Sequence, residues 1–282
     1  MPFFWQRPRP MHLGRFPMEK IKRVSETTTK ITDNVPRMPK RAHFFQRARF
    51  GDLGPKPQQE VRRFATKHPL SMSMGKMTQT QAAVHDGDVA PEKARLPEDL
   101  HEIAEHIKAT CYFLDADLVG ICEMPDYAWY SHDIDGNPIT AKHKYAIVLL
   151  IDQGFETMEA SSGDDWISGS QSFRAYLKGS TIACTVASYI RELGYEARAH
   201  TNADSEVLHN PLTMLAGLGE LSRIGEVVLN PFLDPRFKTA VITTNLPMAV
   251  DQPIDFGPKI FVVNAGNAPV SAPPERYPSA TR

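Results

Sequence analysis

The side chains best suited to metal or redox chemistry are sparse and wrongly spaced for it. Cys111, Cys122 and Cys184 have no zinc-ribbon, C-x-x-C or iron–sulfur spacing. No cysteine follows Cys184 in the sequence, so no conventional cysteine-ligated cluster is expected. The three read instead as small buried hydrophobes of a reducing compartment. His132 and His143 flank a polar loop and His200 ends an apolar segment, without a zinc pattern. Metal ligands are therefore expected nowhere. Gly217-x-Gly219 lacks both the Lys-Ser/Thr ending of a phosphate loop and a full G-x-G-x-x-G pattern, which suits tight packing as well as ligand contact. Glu220 and Arg223 stand at i,i+3 and could pair on a helix, while Asp164-Asp165 reads as a solvated loop.

The elements that would position a site begin only near residue 96. Residues 1–95 are interrupted by prolines, and the methionine-rich patch Ser71 to Met77 reads as a loop or edge. Residues 1–67 carry sixteen Lys/Arg against five Asp/Glu, and residues 68–282 sixteen against twenty-eight. A basic arm, with Phe3, Phe4, Trp5, Phe44, Phe45 and Phe50 as anchors, is expected to pack on the acidic body or on a partner subunit. That gives a physical reason to expect a homodimer. Nucleic acid is disfavoured, because no recognition motif or aromatic platform accompanies the charge. No apolar run is long enough for a membrane span, and the start has neither an apolar core nor paired arginines, so a cytoplasmic location is the default.

From residue 96 the periodicity sharpens. Leu100, Ile103, Ala104, Ile107 and Cys111 recur at helical spacing behind Pro97, Glu98 and Asp99. Leu118 to Cys122 and Lys144 to Ile151 read as buried strands, the second covered on both faces. A helix over Ser172 to Leu193 stops at Gly194. A strand at Glu196 to His200, a helix at Pro211 to Leu221 and a strand at Lys238 to Thr243 complete an α/β or α+β domain with a central sheet. The division is an arm over 1–95, a body over 96–260 and an irregular tail over 261–282.

Several segments, taken in order, resemble the corrinoid-binding region of the corrinoid (cobalamin)-dependent reductive dehalogenases. They are LDADLVGICEMPDYAWYSHD from residue 114, HKYAIVLLID from 143, AYLKGSTIACTVASYIRELGYEARAH from 175, AGLGELSRIGEVVLNPFLDPRFKTAVITTNLPM from 216, and DQPIDFG from 251. Members of that family continue into a run of cluster cysteines. This sequence has IFVVNAGNAP from 260 instead.

The resemblance implies a mixed central sheet flanked by helices, similar to nitroreductase-like and cobalamin-processing folds. It implies a base-off cobalamin, and the sequence contains no D-x-H-x-x-G motif. It assigns Tyr176 as proton donor and a basic partner at Arg236 or Lys238, with Lys238 favoured as the cation that lowers the phenol pKa. Tyr176 also stands at helical spacing from Ala183, Ala187 and Ile190, which suits a core position. Ser180, Thr181, Asn202, Gly217, Leu218 and Gly219 fall where cofactor contacts would lie. The implied activity is reductive dehalogenation of a halogenated organic compound with electrons from a separate transfer protein. The alternatives are a non-catalytic corrinoid-binding or structural subunit, and the same fold holding a flavin or another tetrapyrrole.

Overall fold

A computed structural model of the chain describes residues 18–29 and 35–257. The expected tail at 261–282 and the aromatic anchors Phe3, Phe4 and Trp5 lie outside the described residues. In order, the chain forms strand β1 (Lys22–Arg23), helices α1 (Phe44–Arg49), α2 (Pro55–Thr66), α3 (Pro69–Thr80) and α4 (Leu100–Phe113), then strands β2 (Leu118–Glu123) and β3 (Tyr145–Asp152). Helices α5 (Phe155–Ala160) and α6 (Trp166–Glu192) follow, with β4 (Ala197–His200), α7 (His209–Leu215), β5 (Glu220–Leu221), β6 (Val228–Leu229), β7 (Phe237–Thr244) and β8 (Ile254–Asp255).

The central sheet has the order β2-β3-β7-β4. All three of its pairings are antiparallel, which corrects the expectation of mixed strand directions. The reason lies in the crossover. β3 and β4, joined by α6, do run the same way, as a βαβ unit requires, but they leave a gap of one strand between them. β7 fills the gap in the opposite direction, pairing Leu149 with Ala240 and Ala199 with Ile242.

Alternation along the strands then divides the core. Ile147, Leu149 and Ile151 of β3 and Ala240 and Ile242 of β7 face α4 and α6, where Ile107, Ala183, Val186, Ala187 and Ile190 are buried. Close approach is built in at Gly179, where an added Cβ would sit 3.1 Å from Ile151. α4 is capped by Asp99, whose carboxylate accepts the His101 N–H at 2.8 Å. α6 is capped by Asp165 through the Ser168 N–H at 2.9 Å, six residues before the expected helix start. Ser168 and Ser170 turn their hydroxyls back onto the helix and leave the small face buried, which conceals the first turns from a hydrophobic pattern.

The opposite face is covered by α7 and the 126–130 segment, with Trp129 1% exposed. α7 is shorter than the expected Pro211 to Leu221 helix, since Gly217 adopts φ +68° and Glu220–Leu221 joins a two-stranded ribbon. Glu220 does not pair as on a helix. Its carboxylate accepts from the Thr28 hydroxyl at 2.5 Å and the Phe256 N–H at 2.7 Å.

The methionine-rich patch is the other local correction. It lies within α3, which starts with Pro69 behind a His68 side-chain cap and seats Gly75 against Phe173 of α6. Ion pairs join basic residues of the first third to acidic ones beyond it: Lys40 to Asp204 at 2.5 Å, Arg63 to Asp164 at 2.6 Å and Lys67 to Asp164 at 2.9 Å. Among the described residues no helix is long and apolar enough to cross a membrane.

Buried imidazoles stitch the second face. His200 Nδ1 accepts the Glu206 N–H at 3.1 Å, so its proton sits on Nε2 and is donated to Thr243 at 2.8 Å. The Thr243 hydroxyl in turn donates to His143 Nδ1 at 2.6 Å. Burial pushes His85, His143 and His209 down to about 4, and His200 well below its ordinary value. The unfolded chain, with imidazoles near 6.5, therefore binds more protons than the fold between those values. This contribution is full above about pH 6.5 and is lost as the pH falls towards about 4. The urea midpoint is expected to drop from about pH 7 to about pH 5, and a midpoint that holds or rises would contradict the buried neutral assignment.

Candidate active site

Tyr176 lies on α6 and Lys238 on β7, facing each other where the helix covers the sheet. The even-numbered positions of β7 point at α6, which brings Lys238 to that face together with Ala240 and Ile242. The Lys238 ammonium lies over the Tyr176 ring, 5.3 Å from its centroid. Phe173 meets the same ring edge-on with centroids 6.0 Å apart, and Phe64 lies 5.6 Å beyond Phe173.

Burial dominates the electrostatics of this pair. It pushes the Tyr176 phenol up to about 12 and moves the Lys238 ammonium down from its ordinary range. Burial, and not the cation expected from the sequence to lower it, sets the direction of the phenol's shift. The cation faces the π surface, where the ring quadrupole attracts it, and desolvation of the phenolate outweighs its help. At neutral pH the arrangement holds a protonated phenol beside a sheltered cation.

Arg236 plays a different part from the one the sequence suggested. Its Nε donates to Asp152 at 2.9 Å, both side chains are 8% exposed, and its guanidinium lies 5.5 Å from the Phe155 ring centroid. Asp152 also accepts the Gly154 N–H at 2.9 Å, while its own N–H donates to Asp117 at 3.0 Å. Asp117 pairs with Lys178 at 3.2 Å. These groups clamp the end of β3 to the start of β7 and to α6. Gln153, which the sequence reading missed, sits 3% exposed among them. A buried glutamine directly after a continuous apolar strand was the available signal.

The residues expected to touch a cofactor do not converge on one cradle. Ser180 is fully buried one turn beyond Tyr176, and its hydroxyl reaches the Cys184 thiol one turn further on, partly opposing the effect of burial there. Gln171 on the same helix has a buried, unpartnered amide oxygen. Thr181 points away, donating to Leu177 O at 3.0 Å and accepting from Gln81 at 2.9 Å. Asn202 is exposed in the loop after β4.

Gly217, Leu218 and Gly219 serve packing. A Cβ at Gly217 would meet Arg23 and Gln252 O at 2.3 Å, and one at Gly219 would lie 2.4 Å from Leu229 O. Leu218 is buried, and its carbonyl accepts from Asn230 at 2.7 Å. Cys111, Cys122 and Cys184 are buried free thiols, each pushed up by burial. Among the described residues no group of three or more His, Cys, Asp or Glu could hold a metal ion. A cleft of about 400 Å³ between α4 and the far end of α6, lined in part by Ile103, His106, Tyr189 and Leu246, contains none of these residues.

The fold has close counterparts among solved structures. No family model matches the chain. The chain superposes on the catabolic reductive dehalogenase NpRdhA with a TM-score of 0.81 and 51% identity, covering 90% of this chain and 37% of that one. The complex of that enzyme with 3-bromo-4-hydroxybenzoic acid gives a TM-score of 0.82 over the same shares. A tetrachloroethene reductive dehalogenase of Dehalobacter restrictus is 32% identical over 120 residues, 43% of this chain and 21% of that protein. One from Desulfitobacterium hafniense is 31% identical over 120 residues, again 43% of this chain and 21% of that protein. The chain belongs to the corrinoid-dependent reductive dehalogenase family. It spans little more than a third of the length of the solved members it matches.

Removing the charge of Asp152 takes the carboxylate away from the buried Arg236. Asp152→Asn is expected to lower the unfolding free energy by about 3 kcal/mol in urea denaturation. The paired change Asp152→Leu with Arg236→Met is expected to recover most of that loss. Full stability in Asp152→Asn would show that the ion pair does not hold β3 to β7.

Proposed function

We propose that this chain forms the corrinoid-binding part of a reductive dehalogenase, in which Tyr176 donates the proton that replaces the departing halide. The observation that carries this reading is the Lys238 ammonium over the Tyr176 ring, with the phenol held protonated by burial. Family membership adds support. The net change is addition of two electrons and one proton to a carbon–halogen compound, releasing the hydrocarbon and halide.

A phenol near pKa 12 is no acid towards water at neutral pH. A carbon centre gaining electron density is far more basic than a phenolate, so it takes the proton readily. Lys238 then offsets the negative charge left on the ring, and burial limits proton exchange with solvent until that moment. The electrons come from a donor outside the residues of this sequence, consistent with buried thiols that form no cluster.

The orphan amide oxygen of Gln171 fits the amide-rich rim of a corrinoid, and this residue would help hold it. A bound corrinoid supplies the reducing power for breaking the carbon–halogen bond. It is held base-off in this reading. Aromatic substrate is favoured, given the brominated hydroxybenzoate bound by the similar enzyme. A second reading, a non-catalytic structural subunit, draws support from Thr181, Gly217 and Gly219, whose space is already taken by protein groups.

The test is Tyr176→Phe, loaded with cobalamin and supplied with an artificial low-potential donor and a brominated phenol. Halide release is expected to fall by about 10²-fold in kcat with little change in KM, the pattern of a lost general acid. Unchanged turnover would sink the acid role.

A further inference from the structure

The phenol and the ammonium stand on elements 62 residues apart in the chain, and no hydrogen bond links the two side chains directly. Something must fix the turn of α6 that carries Tyr176 relative to the start of β7 that carries Lys238. One residue touches both, with its backbone on one side and its side chain on the other. The Gln153 backbone N–H donates to Arg236 O at 3.1 Å, two residues before Lys238. Its side-chain Nε2 donates to the Ser172 hydroxyl at 2.9 Å, one helical turn before Tyr176. Its carbonyl accepts from the Arg174 guanidinium at 2.6 Å and from the Thr157 hydroxyl at 2.7 Å.

We propose that Gln153 is a positioning residue, bridging Ser172 on α6 and Arg236 before β7 so that Tyr176 and Lys238 stay face to face in a water-poor setting. The inference deepens the proposed function and rests on its assignment of Tyr176 and Lys238. Geometry makes the bridge hard to replace. Gln153 follows the last residue of β3, so its backbone continues the ladder with the strand that carries Lys238, while its side chain is long enough to reach the helix. Both Gln153 and Ser172 are buried, at 3% and 5% exposure, so neither can exchange its partner for bulk water. An alanine at either position removes the Gln153–Ser172 side-chain bond and leaves the Arg174 guanidinium on the Gln153 carbonyl as the remaining tie between the end of β3 and this turn of α6. The surrounding charges, Arg174, Arg236, Lys178, Asp117 and Asp152, remain in every variant considered.

The experiment is a titration of the Tyr176 ring by NMR in protein carrying ¹³C at the tyrosine Cζ, with Tyr176→Phe identifying its resonance. The readout needs neither corrinoid nor turnover. Failure of the catalytic reading would appear in halide release by Tyr176→Phe, whereas failure of the bridge appears only here. In the parent protein Tyr176 stays largely phenol at about pH 11, because its pKa is about 12.

In Gln153→Ala and in Ser172→Ala, water reaches the ring and roughly half or more is expected to be phenolate at about pH 11. The double variant is expected to titrate no lower than either single one, since both break the same bridge. Tyr130, buried in the segment beside Trp129 and also pushed up to about 12 by burial, is the internal control. Its titration is expected to stay fixed. Should Gln153→Ala fail to fold, Ser172→Ala, which deletes a single oxygen, decides alone. The inference is overturned if Tyr176 titrates as in the parent, if the two effects add in full, or if Tyr130 moves with Tyr176.

Discussion

The structure depends on how closely α6 lies on an antiparallel sheet. Twenty-seven residues of helix cross β3, β7 and β4, and the contact is made with small side chains: Ala175, Gly179, Ala183 and Ala187. Larger residues at these positions would lift the helix, as the 3.1 Å clearance at Gly179 indicates. The far end is pinned by Arg191, 6% exposed, which donates to Ala197 O at 2.9 Å and His85 O at 3.3 Å. The near end is pinned by Gln153 and Ser172. Between these pins the helix delivers Tyr176 to Lys238 without a direct hydrogen bond between them.

That closeness also sets the chemistry. A tyrosine and a lysine in water would titrate near their ordinary values, and the pair would be a weak acid beside a solvated cation. Burial moves both towards their neutral forms, the phenol up and the ammonium down. Charge left on the phenolate after proton loss would then face a cation across a poorly screened gap, where an electrostatic interaction is stronger than at the surface. In the proposed reaction, the desolvation that makes Tyr176 reluctant towards water is the same property that would reserve its proton for a more basic acceptor.

Much of the fold was legible because apolar periodicity reports burial. β2, β3, β4 and β7 fall within a few residues of the strands read from alternating and continuous apolar runs, and α4 from its i, i+3, i+4 pattern. The first turns of α6 were missed because serine and glycine there are buried without being hydrophobic. α3 was missed because its methionines and serines carry no clear stripe, and the helix is organised by the His68 cap and by Phe173. Strand direction could not be read either, since β7 enters the gap between β3 and β4 from nearly 40 residues further along the chain.

For the site, resemblance singled out Tyr176 and Lys238, which the fold brings face to face, and alternation put Arg236 and Lys238 on one face of an extended segment. At Gly217 and Gly219 glycine reports a close neighbour without saying whether it is ligand or protein, and in the fold Arg23, Gln252 and Leu229 lie there. The sequence reading missed Gln153, whose role depends on contacts about 20 residues away on α6 and more than 80 away before β7.

The most direct measurement is the absorption spectrum of the folded protein after incubation with cobalamin and removal of the free cofactor. The account predicts a retained corrinoid with a base-off spectrum. A folded protein that retains no corrinoid would contradict it.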